Sequence, residues 1–380
     1  MAVRSRSVLM VCLHSLLVAQ DVARDIFPPR DLTIRTLQNH MRKALNYLLG
    51  SGIAPFFPVS SEPAGIYLPL HIFLFLCKLP FFITVSVAYF AVLQWFPLGS
   101  LIKKAILWMI LGIPGVWWID LQIDGVKKGS LAKKREGRVP QPPDIIASSF
   151  TSPIDSLYLA AIFDPIFTAS YPHTRQVEQL SLLGAIFRAL SKPKEYPPKG
   201  AKLTDLRVLV REHPNRVIVV FPECTTTNGK GILPFSPSLL TVPPETKIFP
   251  ISLRYTPSDI TTPVPGQYWT FVWNLLSHPT HCIRVRIAGA VYNTSKPLET
   301  AEKKDRFLTN VLDNLAEDSA MASSTDSLVS SSDPGEISAE ERKVLDTVGE
   351  ALARLGRVKR VGLTVRDKAD FIEAWSKRRR

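Results

Sequence analysis

Residues 66–77 are almost wholly apolar, Lys78 interrupts, and residues 79–96 then carry no charge at all. That second run is long enough for a bilayer span, which takes ~20 apolar residues. A further uncharged run, 105–119, follows the joint at 99–104 and carries Trp108, Trp117 and Trp118. It is short for a span and contains Gly112, Pro114 and Gly115, so two full crossings are not assured. The pattern predicts a membrane-associated apolar hairpin over 66–119. Core helices of a soluble domain are the competing reading, and the tryptophans at the run's edges argue against it.

After residue 143 the periodicity changes. Short β-branched runs at 144–149, 166–170, 216–221, 247–253 and 282–288 read as strands. Helical patterns fall between them at 156–163, 177–190 and 203–212, while 268–275 fits either state. Ser152 as N-cap, Pro153 at the first helical position and Asp155 two residues on form a well-made helix start. Alternating strands and helices predict an α/β fold, a mixed sheet flanked by helices and with a parallel component.

The pattern fades over 316–338, where Ser, Asp and Glu dominate and too little apolar surface exists to offset chain entropy. This stretch is expected to be a disordered linker. A capping box, Ser338 to Glu341, then opens a helix to about residue 355, and a basic tail ends in Lys377, Arg378, Arg379 and Arg380. Phe371, Ile372 and Trp375 beside that tail suit anionic headgroups, or a solvated helix end equally well. The domain reading is therefore an N-terminal extension 1–50, the hairpin 66–119, a basic linker 120–143, an α/β domain 144–315, the linker 316–338 and a C-terminal helix with basic tail 339–380.

Charge sharpens this. Lys and Arg total 46 against 33 Asp and Glu, a net +13, which favours anionic partners. The apolar runs make that partner a bilayer rather than nucleic acid. Lys127, Lys128, Lys133, Lys134, Arg135 and Arg138 follow the second apolar run and place that flank in the cytosol. Arg4 and Arg6 before the apolar run 8–19 resemble a secretory leader. Ser15 and His14 interrupt it, and an uncleaved interfacial helix or an extension outside the fold explains it equally. Four dispersed cysteines form no C-x-x-C pair, so neither zinc nor a disulfide framework is indicated.

The densest chemistry lies where the strand 216–221 empties into Pro222-Glu223-Cys224-Thr225-Thr226-Thr227-Asn228-Gly229-Lys230. One carboxylate, three hydroxyls, an amide and a cation suit an anionic, hydroxyl-bearing ligand. An Asn-Gly turn with self-bonded threonines is the bland alternative. Phe221 to Thr225 is similar to the F-P-E-G-T block of the glycerolipid acyltransferase superfamily, with Cys224 in place of Gly. Ile232-Leu233-Pro234-Phe235, Lys247 to Ser252 and Gly52 to Phe56 extend the likeness, which is strongest to the fungal branch acting on lysophosphatidic acid. It covers most of 51–292.

The resemblance implies acyl transfer from acyl-CoA, a cosubstrate rather than a bound cofactor, to a lysophospholipid. Lysophosphatidic acid is the expected acceptor and the endoplasmic reticulum or lipid-droplet surface the expected place. It implies Asp155 as the catalytic position, with Glu223, Thr225, Thr226, Asn228, Lys230 and Arg188 holding substrate, and no metal. Two departures stand out. The family's His, five residues before Asp155, is Phe150 here, and a phenyl ring accepts no proton. The family's Arg is Thr226. Another base such as His173 or His213, Asp155 itself, catalysis by positioning alone, or a lipid-binding or trafficking factor without turnover all answer the first departure. A remodelling enzyme for choline or ethanolamine lysophospholipids would fit the second. Cys224 as acyl-bearing nucleophile is disfavoured, since no base adjoins it.

Overall fold

The computed structural model describes residues 54–59, 65–93, 99–126, 137–295 and 337–379. The extension 1–50, most of the basic cluster after residue 126 and the linker 316–338 up to residue 336 lie outside the described residues.

The first apolar run forms helix α1, Leu68–Val87, prolonged by a wider π-helical turn over Ala88–Leu93. No side chain of α1 is fully buried, and Phe73, Phe81, Ile83 and Val87 stand half or more exposed. The opposite stripe is occupied. His71 and Phe75 meet His278 and Trp273, Lys78 donates to the carbonyls of Pro114 and His278, and Phe82 and Val85 pack on the main core. Spacings of four, three, four and three residues keep these positions on one helix face.

The second apolar run does not complete a hairpin. Its first part is helix α2, Ser100–Gly112, which buries Leu107, Ile110 and Leu111 in the main core. Its second part turns at Gly115 and becomes strand β1, Val116–Ile123. Gly115 has φ of +96°, and a Cβ there would sit 2.3 Å from the Pro279 carbonyl oxygen. Only glycine allows that close approach. Trp117 and Trp118 are exposed on β1, where a bulge between Val116 and Trp118 leaves Trp117 outside the pairing with β9.

The remaining elements follow in order: β2 Ile145–Ser148, α3 Pro153–Phe163, β3 Ile166–Ala169, β4 Val177–Leu180, α4 Leu182–Leu190, β5 Leu203–Thr204, α5 Leu206–Glu212, β6 Ile218–Val220, β7 Gly231–Ile232, β8 Lys247–Thr256, α6 Tyr268–Ser277, β9 His281–Ile287, β10 Val291–Tyr292, α7 Ala339–Gly356, β11 Lys359–Arg360 and α8 Val365–Arg379. Among the described residues one sheet runs β1-β9-β8-β2-β6-β3-β4-β5, with β10 also on β8. The pairs β8-β2, β2-β6 and β6-β3 are parallel; β3-β4 and β4-β5 are antiparallel. The expected mixed sheet is thus present, and the ambiguous segment at 268–275 is helical.

Two predicted helices begin with strands instead. Residues 177–180 pair with β3, and Ser181 then caps α4 by accepting from the Gly184 N–H at 3.1 Å. Residues 203–204 likewise pair with β4 before α5 begins. The C-terminal segment is part of the core: Val344, Leu345 and Val348 of α7 pack with Ile145 and Ile248 of the sheet. Arg286 and Arg254 bind the last carbonyls of α7, at Leu355 and Gly356. The folded unit therefore extends beyond 144–315 in both directions, taking in β1 and α7–α8.

Candidate active site

Strands β2, β6 and β3 lie side by side and parallel, and their carboxyl ends release Phe150, Phe221 and Ser170 at one level. Ligands of open α/β sheets sit at such ends. A small cleft opens there between Phe150, Phe221, Cys224, Ser170 and Arg188. The Arg188 guanidinium lies 5.0 Å from the centre of the Tyr171 ring, a cation–π contact, and its Nη2 is buried without a partner. A buried donor left unpaired costs about 1–3 kcal/mol, so this nitrogen is poised for an anion.

Phe150 occupies the wall of this cleft. Its ring stacks on Phe221, and its carbonyl accepts from the Thr227 N–H at 2.9 Å, which draws the loop 222–230 against β2. Asp155 is fully buried and is not among the lining residues. Its carboxylate accepts from the N–H groups of Thr151 (2.6 Å) and Ser152 (2.9 Å), from the Thr151 hydroxyl and from the Tyr255 hydroxyl. Burial raises its pKa to about 6 against the pull of these donors. The Ser152–Asp155 capping box is formed as the sequence indicates.

The loop's other members divide. Glu223 is 1% exposed; its Oε2 accepts from the Leu233 N–H at 3.2 Å, and its Oε1 is unpartnered. Burial pushes this carboxyl up to about 8, opposed by the Leu233 N–H and by Lys368. Thr226 donates to the Thr262 carbonyl at 2.7 Å. Asn228 is structural: its Nδ2 holds the carbonyls of Ala54 and Phe57, and its Oδ1 accepts from the Lys230 N–H. The side chain of Lys230 is exposed. Cys224 lies in the left-handed region at φ of +59°, where an L side chain is strained. Burial pushes its thiol up to about 12, which leaves no thiolate for nucleophilic work.

Sequence reasoning missed Lys368 and Tyr255. Lys368 of α8 is fully buried and its Nζ donates to Thr225 Oγ1 (2.9 Å), Thr226 O (2.5 Å) and Thr226 Oγ1 (3.1 Å). The signal was there: Val365, Lys368, Ile372 and Trp375 share one helix face, with a lysine at an otherwise apolar position. Two of the tail aromatics, Phe371 and Trp375, pack on Phe57 at 5.1 and 6.1 Å between ring centroids.

No family model matches the chain. It is 25% identical over 250 residues, 63% of this chain and 81% of the relative, to a Schizosaccharomyces pombe protein named as a lysophosphatidic acid:oleoyl-CoA acyltransferase. The chain is thus similar to a protein named as an acyltransferase acting on a lysophospholipid. A second match, 28% identical over 198 residues, is to the Arabidopsis thaliana lysophospholipid acyltransferase LPEAT1, and it spans 46% of each chain. The superfamily likeness carried by 221–225 is thereby supported over a larger part of the chain than that block alone.

Proposed function

We propose that the protein is a membrane-bound acyltransferase that moves a fatty acyl group from acyl-CoA to lysophosphatidic acid, at the cytosolic face of the endoplasmic reticulum or a lipid droplet. The observation that carries the acceptor choice is the buried, unpartnered Nη2 of Arg188 in a cleft whose walls are mostly apolar, Phe150, Phe221, Leu180, Ala185 and Cys224, with Ser170 and Thr168 beside them. An anion-seeking donor among apolar walls suits an acyl chain bearing a phosphate. In the reaction, the acceptor hydroxyl oxygen adds to the thioester carbonyl carbon, the C–S bond breaks, and the hydroxyl proton ends on the CoA sulfur. A thioester is an activated donor, and holding the two substrates together supplies much of the rate.

The stacked rings of Phe150 and Phe221 favour a second reading, lipid binding without turnover, because they fill the place of the family's base. Acyl transfer from labelled oleoyl-CoA by the purified full-length protein separates the two. Product with lysophosphatidic acid, reduced at least tenfold in Arg188→Ala, is expected. Absence of product with any lysolipid would leave the binding reading, and product only with a choline or ethanolamine lysolipid would overturn the acceptor.

A further inference from the structure

The C-terminal helix does more than cover the sheet. Lys368 spends all three ammonium donors on the strand-end loop, on Thr225 Oγ1, Thr226 O and Thr226 Oγ1. One and two turns further on, Phe371 and Trp375 grip Phe57, while Asn228 of the same loop binds the carbonyls of Ala54 and Phe57. Helix α8, segment 54–59 and the loop are therefore interlocked, although nearly the whole chain separates the first two in sequence.

Charge gives this clasp a chemical meaning. The loop buries a carboxyl group, Glu223, and brings no buried cation of its own, since Lys230 is exposed. Lys368 is the cation that acts on Glu223, and Arg188 is a second positive charge felt by Lys368. Lys368 also sets a hydroxyl. Because Thr225 Oγ1 accepts from the ammonium, its own proton is directed elsewhere, and no described residue takes it. A hydroxyl polarised by an ammonium is a stronger donor than a free one.

We propose that Lys368 is a positioning residue for the anionic acceptor: from the C-terminal helix it supplies the loop's buried positive charge and orients the Thr225 hydroxyl as a phosphate donor. The inference rests on the cleft's being a lysophosphatidic acid site. Removing the charge should weaken anionic acceptors selectively, whereas a merely structural role would lower turnover of all acceptors alike.

The test compares the full-length protein with Lys368→Met, Lys368→Arg and Thr225→Val, using oleoyl-CoA with lysophosphatidic acid or with uncharged monoacylglycerol. Lys368→Met is expected to raise KM for lysophosphatidic acid at least tenfold and leave KM for oleoyl-CoA within twofold. Lys368→Arg should keep the preference for the phosphate-bearing acceptor even where its rate falls. Thr225→Val should lose that preference, and reads the proposal should Lys368→Met not fold. Equal losses on both acceptors, or unchanged KM values, would overturn it. Where the parent turns over no lysolipid, thermal stabilisation by lysophosphatidic acid is read instead. Stabilisation lost in Lys368→Met supports the inference while the enzyme reading fails; stabilisation that persists in the variant, or is absent in the parent, overturns the inference.

Discussion

The ring of Phe150 lies stacked on that of Phe221, with centroids 4.3 Å apart and planes 25° from parallel. The stack joins the end of β2 to the end of β6 and closes one wall of the cleft. Both rings are buried, so Phe150→Ala should cost ~3–5 kcal/mol through lost contacts and a residual cavity, read by urea denaturation.

Placing a histidine at position 150 is not expected to create a working His–Asp pair by itself. The Asp155 carboxylate already accepts from Thr151, Ser152 and Tyr255. Phe150→His should therefore change kcat little. Adding Tyr255→Phe removes the donor on Oδ1 and frees that oxygen for an imidazole N–H. The double variant is expected to raise kcat by roughly 10²-fold and to acquire a pH–rate limb in the histidine range. Equal pH–rate profiles for the single and double variants would show that Tyr255 does not withhold Asp155.

Cys224 holds a left-handed backbone conformation, at the position where the F-P-E-G-T block it resembles has glycine. Cys224→Gly should relieve that strain and stabilise the protein by about 1 kcal/mol, with denaturant unfolding as the measure. The same variant tests covalent catalysis. A thiol pushed up to about 12 by burial is no acyl carrier, so acyl transfer should survive the substitution. Loss of turnover in a folded Cys224→Gly protein would reverse that conclusion.

What could be read from the sequence follows from how local each feature is. Strands β2, β3, β6, β8 and β9 announce themselves as β-branched runs, and the α3 start is written in Ser152, Pro153 and Asp155. Strand β4 was hidden because residues 177–190 form one continuous pattern, and the break at Ser181 is a cap whose effect needs the β3 partner to be seen. Strand β1 was hidden for the opposite reason. Trp117 and Trp118 read as an interfacial anchor, yet Val116 to Ile123 pairs with β9, far along the chain. The site loop was legible as a motif, whereas Lys368 reaches it across 143 positions, a contact that only the fold creates.

Titration of the buried site should shape stability against pH. Glu223 rises from 4.5 to about 8 in the folded protein, so the native state holds a proton that the unfolded chain releases, and stability falls as pH rises between those values. Asp155, raised from 3.8 to about 6, acts in the same direction over its lower window. Lys368 drops from 10.5 to about 7, so here the unfolded chain holds the extra proton and stability climbs from about 7 towards 10.5. The parent should thus show a stability minimum near neutral pH from these groups. Glu223→Gln should remove most of the falling limb above pH 6, and Lys368→Met the rising one. Chemical denaturation from pH 5 to pH 10 reads both; identical pH profiles in parent and variants would exclude these groups as the source.

Helix α1 meets the domain along one face from His71 to Tyr89, about 27 Å at 1.5 Å per residue. Its opposite face, with Phe73, Phe81 and Val87, is apolar and open. A helix fastened over that length cannot cross a hydrocarbon core ~30 Å thick without carrying α6 and the approach to β9 with it. Those segments bring buried polar groups such as Asn274 and Ser277, which disfavours deep insertion. The expected arrangement is a helix lying in the interface, its open face sunk about 5–10 Å below the headgroups. Cys77 is exposed on α1 and offers a reporter. With Cys12 and Cys282 replaced by serine and a fluorophore on Cys77, liposome-bound protein should be quenched more by nitroxides near the headgroups than by nitroxides at the bilayer centre. The reverse order would place α1 across the membrane, and would require the Lys78 contacts to Pro114 and His278 to break there.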